Sequence, residues 1–189
     1  MDFVNSVPTS MGSAVFAAQR AADLTFVIQN KDQLDDATLV QKVNQELKEY
    51  DEHISEVLHA DLEGLRLVSS QLYEVFSAKE TDKAVKLLNT ILAEHASAPR
   101  LTAHADTPWH IHVDGNDHAP WAEWFASSSA LALAVLLAEK QRNPGGVCVS
   151  KPCGRPFIDT GKGGGRLYCS QKCSTRERVA AYRKANPHT

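Results

Sequence analysis

Apolar side chains recur every three or four residues through much of the first hundred positions, which is the spacing of one face of an α-helix. The pattern is regular from Ala37 to Val57, from Asp61 to Ala78 and from Thr81 to His95. Residues 2–30 mix small and apolar types and predict a buried strand or helix start followed by a helix. We therefore expect a mainly helical amino-terminal body.

The period of the apolar positions changes to two after Pro99, which indicates β structure. In residues 109–114 an apolar set, Trp109, Ile111 and Val113, alternates with a polar set, His110, His112 and Asp114. Together with residues 100–104, which precede a turn-rich stretch, they predict a β-hairpin. A helix from Trp121 to Gln141 follows, and because it is apolar nearly all round we expect it at the centre of the body.

The polar side of this hairpin is a candidate binding site. His104, His110 and His112, together with Asp114, could meet on one face as a metal or catalytic cluster. Four aromatic residues could line a small-molecule pocket or belong to the core: Trp109, Trp121, Trp124 and Phe125. A solvated strand face explains the same alternation, and it is the interpretation that we favour. The chain contains no Gly-rich phosphate loop, nucleophile elbow or paired-carboxylate motif, so we do not expect an enzyme.

The strongest chemical pattern is made by the four cysteines of the chain. Cys148 and Cys153 form a C-x4-C pair, and after fifteen further residues Cys169 and Cys173 form a C-x3-C pair. Two close pairs at such a separation are typical of a structural zinc site with four thiolate ligands. A disulfide pair or unrelated core cysteines are the alternatives, and the polar, turn-like surroundings of the four residues disfavour the second.

The amino terminus bears on the choice between zinc and a disulfide. Residues 1–5 lack the basic start and long apolar run of a signal peptide, which favours a cytoplasmic protein with reduced thiols. The longest apolar run is the nine residues from Ala130 to Ala138, well short of the roughly 20 that a membrane span needs. We therefore expect one structural Zn²⁺ and no membrane segment.

The residues around the cysteines predict the local structure of a small module. Residues 157–160 and 166–168 are expected to be two short strands joined by a glycine-rich hairpin loop, and Ser174 to Ala185 a helix. A cysteine knuckle, a hairpin and a helix that carries the last ligand form a treble-clef-like arrangement. The predicted fold class is thus α+β, with a mainly helical body over 1–142, a linker over 143–147 and a zinc module over 148–189.

Charge is distributed unevenly between these parts. Residues 148–189 carry nine Lys or Arg against two acidic residues, whereas residues 1–147 carry eleven basic and twenty-one acidic ones. A basic module on an acidic body is expected of a protein that binds nucleic acid. The candidate phosphate contacts are Arg176 and Arg183 on the helix, Lys162 and Arg166 on the hairpin, and Lys172.

Each of these five residues could instead be a solvated surface charge. A single small finger binds DNA weakly, so a homodimer that presents two fingers is expected. The alternatives are a finger that binds RNA or protein, and a ligand-binding or enzymatic body that the zinc module merely braces.

The same residues carry a resemblance to a known family. The cysteine pairs, residues 157–160, the glycine-rich tip, Arg166, Ser170 and the basic helix resemble the CGNR zinc finger of bacterial transcription regulators. That family pairs the finger with an amino-terminal domain called ABATE, whose opening is similar to residues 2–6 here. The resemblance implies DNA binding and a body that senses a small-molecule effector or stress. The eponymous Cys-Gly-Asn-Arg run is Cys173-Ser174-Thr175-Arg176 in this chain, which keeps the ligand and the arginine.

Overall fold

The computed structural model describes residues 11–29, 34–50, 55–103, 109–116, 118–161, 163 and 165–186. It contains six α-helices in these ranges: α1 (Met11–Gln29), α2 (Asp36–Tyr50), α3 (Leu62–Ser77), α4 (Thr81–His95), α5 (Trp121–Lys140) and α6 (Gln171–Ala185). The four strands are β1 (Arg100–Thr102), β2 (His110–His112), β3 (Gly145–Val147) and β4 (Pro156–Ile158). The predicted α+β class with a mainly helical body is confirmed.

The helix boundaries follow the apolar periodicity closely. The structure reproduces the bounds predicted for α4 and places those of α3 and α5 within one residue of the prediction. The first regular segment differs, because α2 ends at Tyr50 and Val57 belongs to a separate stretch. The Asn44 side chain bonds both the N–H and the carbonyl of Val57, which keeps this residue buried against the helices.

Helix α5 is the centre of the body, as its composition predicts. It packs against α1, α3 and α4, and Phe125, Leu133 and Leu136 are fully buried in the main core. By length and composition α5 could also cross a membrane, but half of the relevant window is buried inside the protein. The core helices of soluble proteins share that property, so α5 is explained by its place in the fold.

The predicted hairpin forms, but the solvent exposure of its two faces differs from the prediction. Strands β1 and β2 are antiparallel, with Leu101 opposite Ile111 and Arg100 opposite His112. Leu101 and Trp109 are 68% and 74% exposed, whereas His112 and Asp114 are only 5% exposed. The favoured interpretation of a solvated polar face is therefore wrong at these two residues.

A salt-bridge network explains why this polar face can be buried. Arg100 Nη2 donates to Asp114 Oδ1 at 2.6 Å, and His112 Nδ1 lies 3.2 Å from each Asp114 carboxylate oxygen. Buried charges are tolerated where they are paired and hydrogen-bonded in this way. His104 lies outside the described residues, as does the side chain of His110, so their part in a ligand site stays a prediction.

The second sheet differs from the predicted hairpin in its partner strand. Strand β4 pairs with β3, in the register Gly145 to Ile158 and Val147 to Pro156, and not with residues 166–168. Residues 166–168 form no regular strand; Leu167 accepts a single hydrogen bond from the N–H of Val149, at 3.0 Å. The predicted linker over 143–147 therefore contains a strand that belongs to the zinc module.

This small sheet lies directly on the body. Ile158 is 2% exposed and belongs to the same core as the helices, and β3 and β4 both contact α3. The Asn143 amide donates to the Val75 and Ala78 carbonyls at the end of α3, at 3.1 and 2.9 Å. At Gly145 an added Cβ would lie 2.2 Å from the Phe157 carbonyl oxygen, so only glycine fits. The zinc module is thus fused to the body by packing and not merely tethered.

Candidate metal centre

The four cysteines come together from two local structures. Cys148 follows β3 and Cys153 lies in the turn before β4, where the Cys148 N–H donates to the Arg155 carbonyl at 2.9 Å and the Cys153 N–H to the Ser150 carbonyl at 2.8 Å. Cys169 precedes α6, and Cys173 lies in the first turn of that helix. These backbone bonds fold the first pair into a tight knuckle, and the helix start positions the second pair.

The sulfur positions fit a tetrahedral metal. All four Sγ atoms lie within 4.8 Å of one another, with Cys153 to Cys169 at 3.6 Å and Cys169 to Cys173 at 3.7 Å. A tetrahedron with Zn–S bonds of about 2.3 Å has sulfur separations of about 3.8 Å, whereas a disulfide needs about 2.05 Å. The four thiolates therefore hold one zinc ion and leave no coordination position open, so the site is structural.

The start of α6 favours the thiolate form of its cysteine. Ser170 is the N-cap residue, and its hydroxyl oxygen accepts from the Cys173 N–H at 3.3 Å. Hydrogen bonding from Ser170 lowers the pKa of Cys173 to about 7. Burial, and then the neighbouring Cys153 thiol, raises the pKa of Cys169 to about 12. In the metal-free protein Cys173 thus ionises more readily than Cys169, and zinc binding must displace the proton from Cys169.

Arg166 braces the segment that carries the second cysteine pair. Its guanidinium donates to the carbonyls of Tyr168 at 2.7 Å, Ile158 at 3.3 Å and Cys169, and it lies 5.0 Å from the centre of the Phe157 ring. Three of its nitrogens are therefore engaged by the finger itself. The sequence suggested a phosphate contact for Arg166, and the structure gives it a bracing role.

A second arginine, Arg142, stabilises the segment of the finger that follows β4. Arg142 Nη1 donates to Asp159 Oδ2 at 3.0 Å, and Arg142 Nη2 donates to the Gly161 carbonyl at 2.9 Å. Burial alone would raise the pKa of Asp159, but the hydrogen bonds from Arg142 and the Gly161 N–H lower it below its ordinary value. Sequence reasoning missed Arg142, because it precedes the predicted finger and only the fold brings it to Asp159.

The remaining candidate cations differ in their surroundings. Arg176 Nη1 donates to the Ser150 hydroxyl at 3.3 Å, and that hydroxyl donates to Glu177 Oε1 at 2.7 Å. Lys172 and Arg183 are exposed on α6, and Lys162 lies outside the described residues. Lys172, Arg176 and Arg183 are therefore all exposed on α6, and Arg176 and Glu177 both bond the Ser150 hydroxyl of the knuckle.

One basic residue of the finger contacts the body. The guanidinium of Arg155 lies 4.4 Å from the centre of the Phe26 ring and 3.8 Å from Asp23 Oδ1, both on α1. A cleft of about 340 Å³ lies beside this contact, between α1 and the zinc centre. Arg155 therefore stabilises the junction and is not part of the exposed basic surface on α6.

Comparison with known protein families covers nearly the whole chain. Residues 1–140 match the ABATE family, described as "Putative stress-induced transcription regulator", and residues 146–185 match the CGNR zinc finger. A search of the curated proteins found no match. The cysteine geometry agrees with the second family and the helical body with the extent of the first. The chain therefore belongs to the ABATE family and carries a CGNR zinc finger at its carboxyl-terminal end.

Proposed function

We propose that this protein is a transcription regulator that binds duplex DNA through helix α6 of its zinc finger. The observation that carries the proposal is the exposure of this helix. Among residues 171–185 only Cys173 is buried, and residues 178–186 are all exposed. Five basic residues lie on α6 against one acidic residue, Glu177, which bonds Ser150. A helix of 15 residues is about 22 Å long, enough to lie along a major groove.

The basic residues are spaced to face one surface. Lys172, Arg176 and Arg183 are four and seven residues apart, which places them on the same side of α6. Phosphate contacts from such a row orient a helix on DNA without reading its sequence. Arg166 is left out of this set because three of its guanidinium nitrogens bond carbonyls of the finger, and Arg155 because it lies against α1. Arg176 is kept because it is exposed and bonds Ser150 through one nitrogen, and Lys162 stays a candidate.

We further propose that the protein forms a homodimer and that its body binds a small-molecule effector. Two fingers in a homodimer would raise the affinity above that of one finger. We place the effector in the cleft between α1 and the zinc centre, because a molecule bound there touches both parts at once. Gln19, Asp23 and Phe26 line its body side, and Arg155 and Ser170 lie on the finger side. His112 is less suited to this role because Asp114 already bonds it.

Fluorescence anisotropy of the zinc-loaded full chain on a random-sequence duplex, across a salt series, tests DNA binding. The logarithm of affinity should fall by about 0.9 per phosphate contact for each decade of salt. Lys172→Ala/Arg183→Ala should therefore reduce the slope by about 2. Arg155→Ala is the matched control and should leave the slope unchanged, since Arg155 faces α1. Absence of binding at low salt would refute the proposal, and tighter binding to single-stranded RNA would move it to that partner.

A further inference from the structure

The exposed part of α6 carries two apolar side chains that the phosphate contacts leave unexplained. Val179 is 41% exposed and Tyr182 is 61% exposed, one turn apart on the helix. Together with Arg178 and Arg183 they line an open hollow of about 540 Å³ on the helix surface. The tyrosine is thus set between two cations on a part of the helix where residues 178–186 are all exposed.

We propose that Val179 and Tyr182 are the base-reading surface of this helix and contact the methyl groups of thymines in the major groove. This inference rests on the proposed binding of duplex DNA by α6. The thymine C5 methyl is the apolar group that the major groove presents, and apolar side chains on a docked helix read it directly. The two residues thereby become the determinants of specificity, whereas the basic row supplies affinity.

The surroundings of the two residues favour DNA over a protein partner. A stable protein interface buries about 1,200–2,000 Å² in total, and one tyrosine and one valine can supply only a small part of that area. The groups beside them are Arg178 and Arg183, which would repel a basic partner but match the phosphates along both walls of a groove. Glu177 does not interfere, because its carboxylate accepts from Ser150 on the other side of the helix.

The position of Tyr182 on the helix also suits this role. Arg176 and Cys173, nearer the amino-terminal end, tie the helix to the knuckle, so the contact surface extends beyond the anchored turn. The side chain can then enter a groove without bringing the acidic body close to the phosphates. Phosphate contacts by Arg178 and Arg183 on either side would fix its depth.

The test starts from a duplex enriched from a random-sequence pool with the zinc-loaded full chain. The same duplex is then made with uracil in place of every thymine, which removes the methyl groups and keeps the base pairing. The wild-type protein should bind the uracil duplex about fourfold more weakly for each methyl contacted, which corresponds to the burial of one carbon. Tyr182→Ala and Val179→Ala should lose most of this difference and keep the wild-type salt dependence.

Val149→Ala is the matched control, since Val149 is an exposed valine of the same finger that does not belong to α6. It should behave as wild type. The inference is overturned if wild type binds both duplexes equally, if the pool yields no preferred sequence, or if Tyr182→Ala changes the molecular mass in solution and thereby marks a contact between copies. Each of these leaves salt-dependent DNA binding intact. A wild-type protein that binds no duplex at all would instead overturn the proposed function and this inference together.

Discussion

Ile158 offers the sharpest test of how the finger and the body are joined. This residue belongs to β4, between the two cysteine pairs, yet it is 2% exposed within the core of the helices. Ile158→Ala removes three carbon atoms from that core. At about 0.8 kcal/mol per carbon, with a further contribution from the cavity, the free energy of unfolding should fall by about 3–4 kcal/mol.

The fluorescence of tryptophan reports this change from the body alone. Trp109, Trp121 and Trp124 are the tryptophans of the chain, and all three precede the finger. For a chain of this size a loss of 1 kcal/mol lowers Tm by about 2–4 °C, so the tryptophan transition should shift down by roughly 6–16 °C. Leu167→Ala is the control, because Leu167 is 55% exposed in the same finger and should change the stability by less than about 0.5 kcal/mol.

The outcome distinguishes a fused module from a tethered one. A lower tryptophan midpoint with one cooperative transition supports the shared core. If Ile158→Ala leaves the tryptophan midpoint at its wild-type value while zinc remains bound, β4 contributes nothing to the body, and the packing described above is refuted.

Three further predictions concern zinc and the charged residues. Zinc uptake should release almost one proton more at pH 6 than at pH 8. The reason is that the pKa of Cys173 is about 7, whereas Cys169, with a pKa of about 12, is protonated at both pH values. A pH indicator in weak buffer measures the number of protons released, and equal release at the two pH values would contradict the prediction. The lowered pKa of Asp159 means that its stabilisation is present above about pH 4 and is lost as pH falls below it. Asp159→Asn should therefore cost about 1–3 kcal/mol at pH 7 and less at pH 3, as measured by thermal unfolding. An equal cost at both pH values would refute the assignment. Burial raises the pKa of Glu46, and the nearby Arg155 charge lowers it. Arg155→Ala should therefore raise the Glu46 pKa further in an NMR titration, and an unchanged pKa would contradict the position of Arg155 near Glu46.

The sequence was most informative where side chains repeat with a fixed period or spacing. The bounds of α4 follow from the apolar positions, and the zinc ligands follow from the spacing of Cys148, Cys153, Cys169 and Cys173. Both signals depend on near neighbours in the chain. The apolar period and the cysteine spacing can therefore be interpreted without knowledge of the tertiary fold.

The sequence was least informative where the fold decides which groups meet. Gly145 and Gly146 have no side chains, so no alternation marked them as the partner strand of β4. The guanidinium of Arg166 bonds backbone carbonyls, which have no sequence signature. The alternation in β2 predicted a polar face, but only the tertiary packing determines that His112 is buried.

The tight approach at Gly145 limits how this finger can be exchanged between proteins. Because the Phe157 carbonyl leaves no room for a side chain, an insertion or a longer spacer at this point would separate β3 from β4 and pull Ile158 out of the helical core. Recombination that swaps only the cysteine-bearing segment would therefore produce a mismatched junction. The finger and the surface formed by α1 and α3 are expected to be inherited together, as one evolutionary unit.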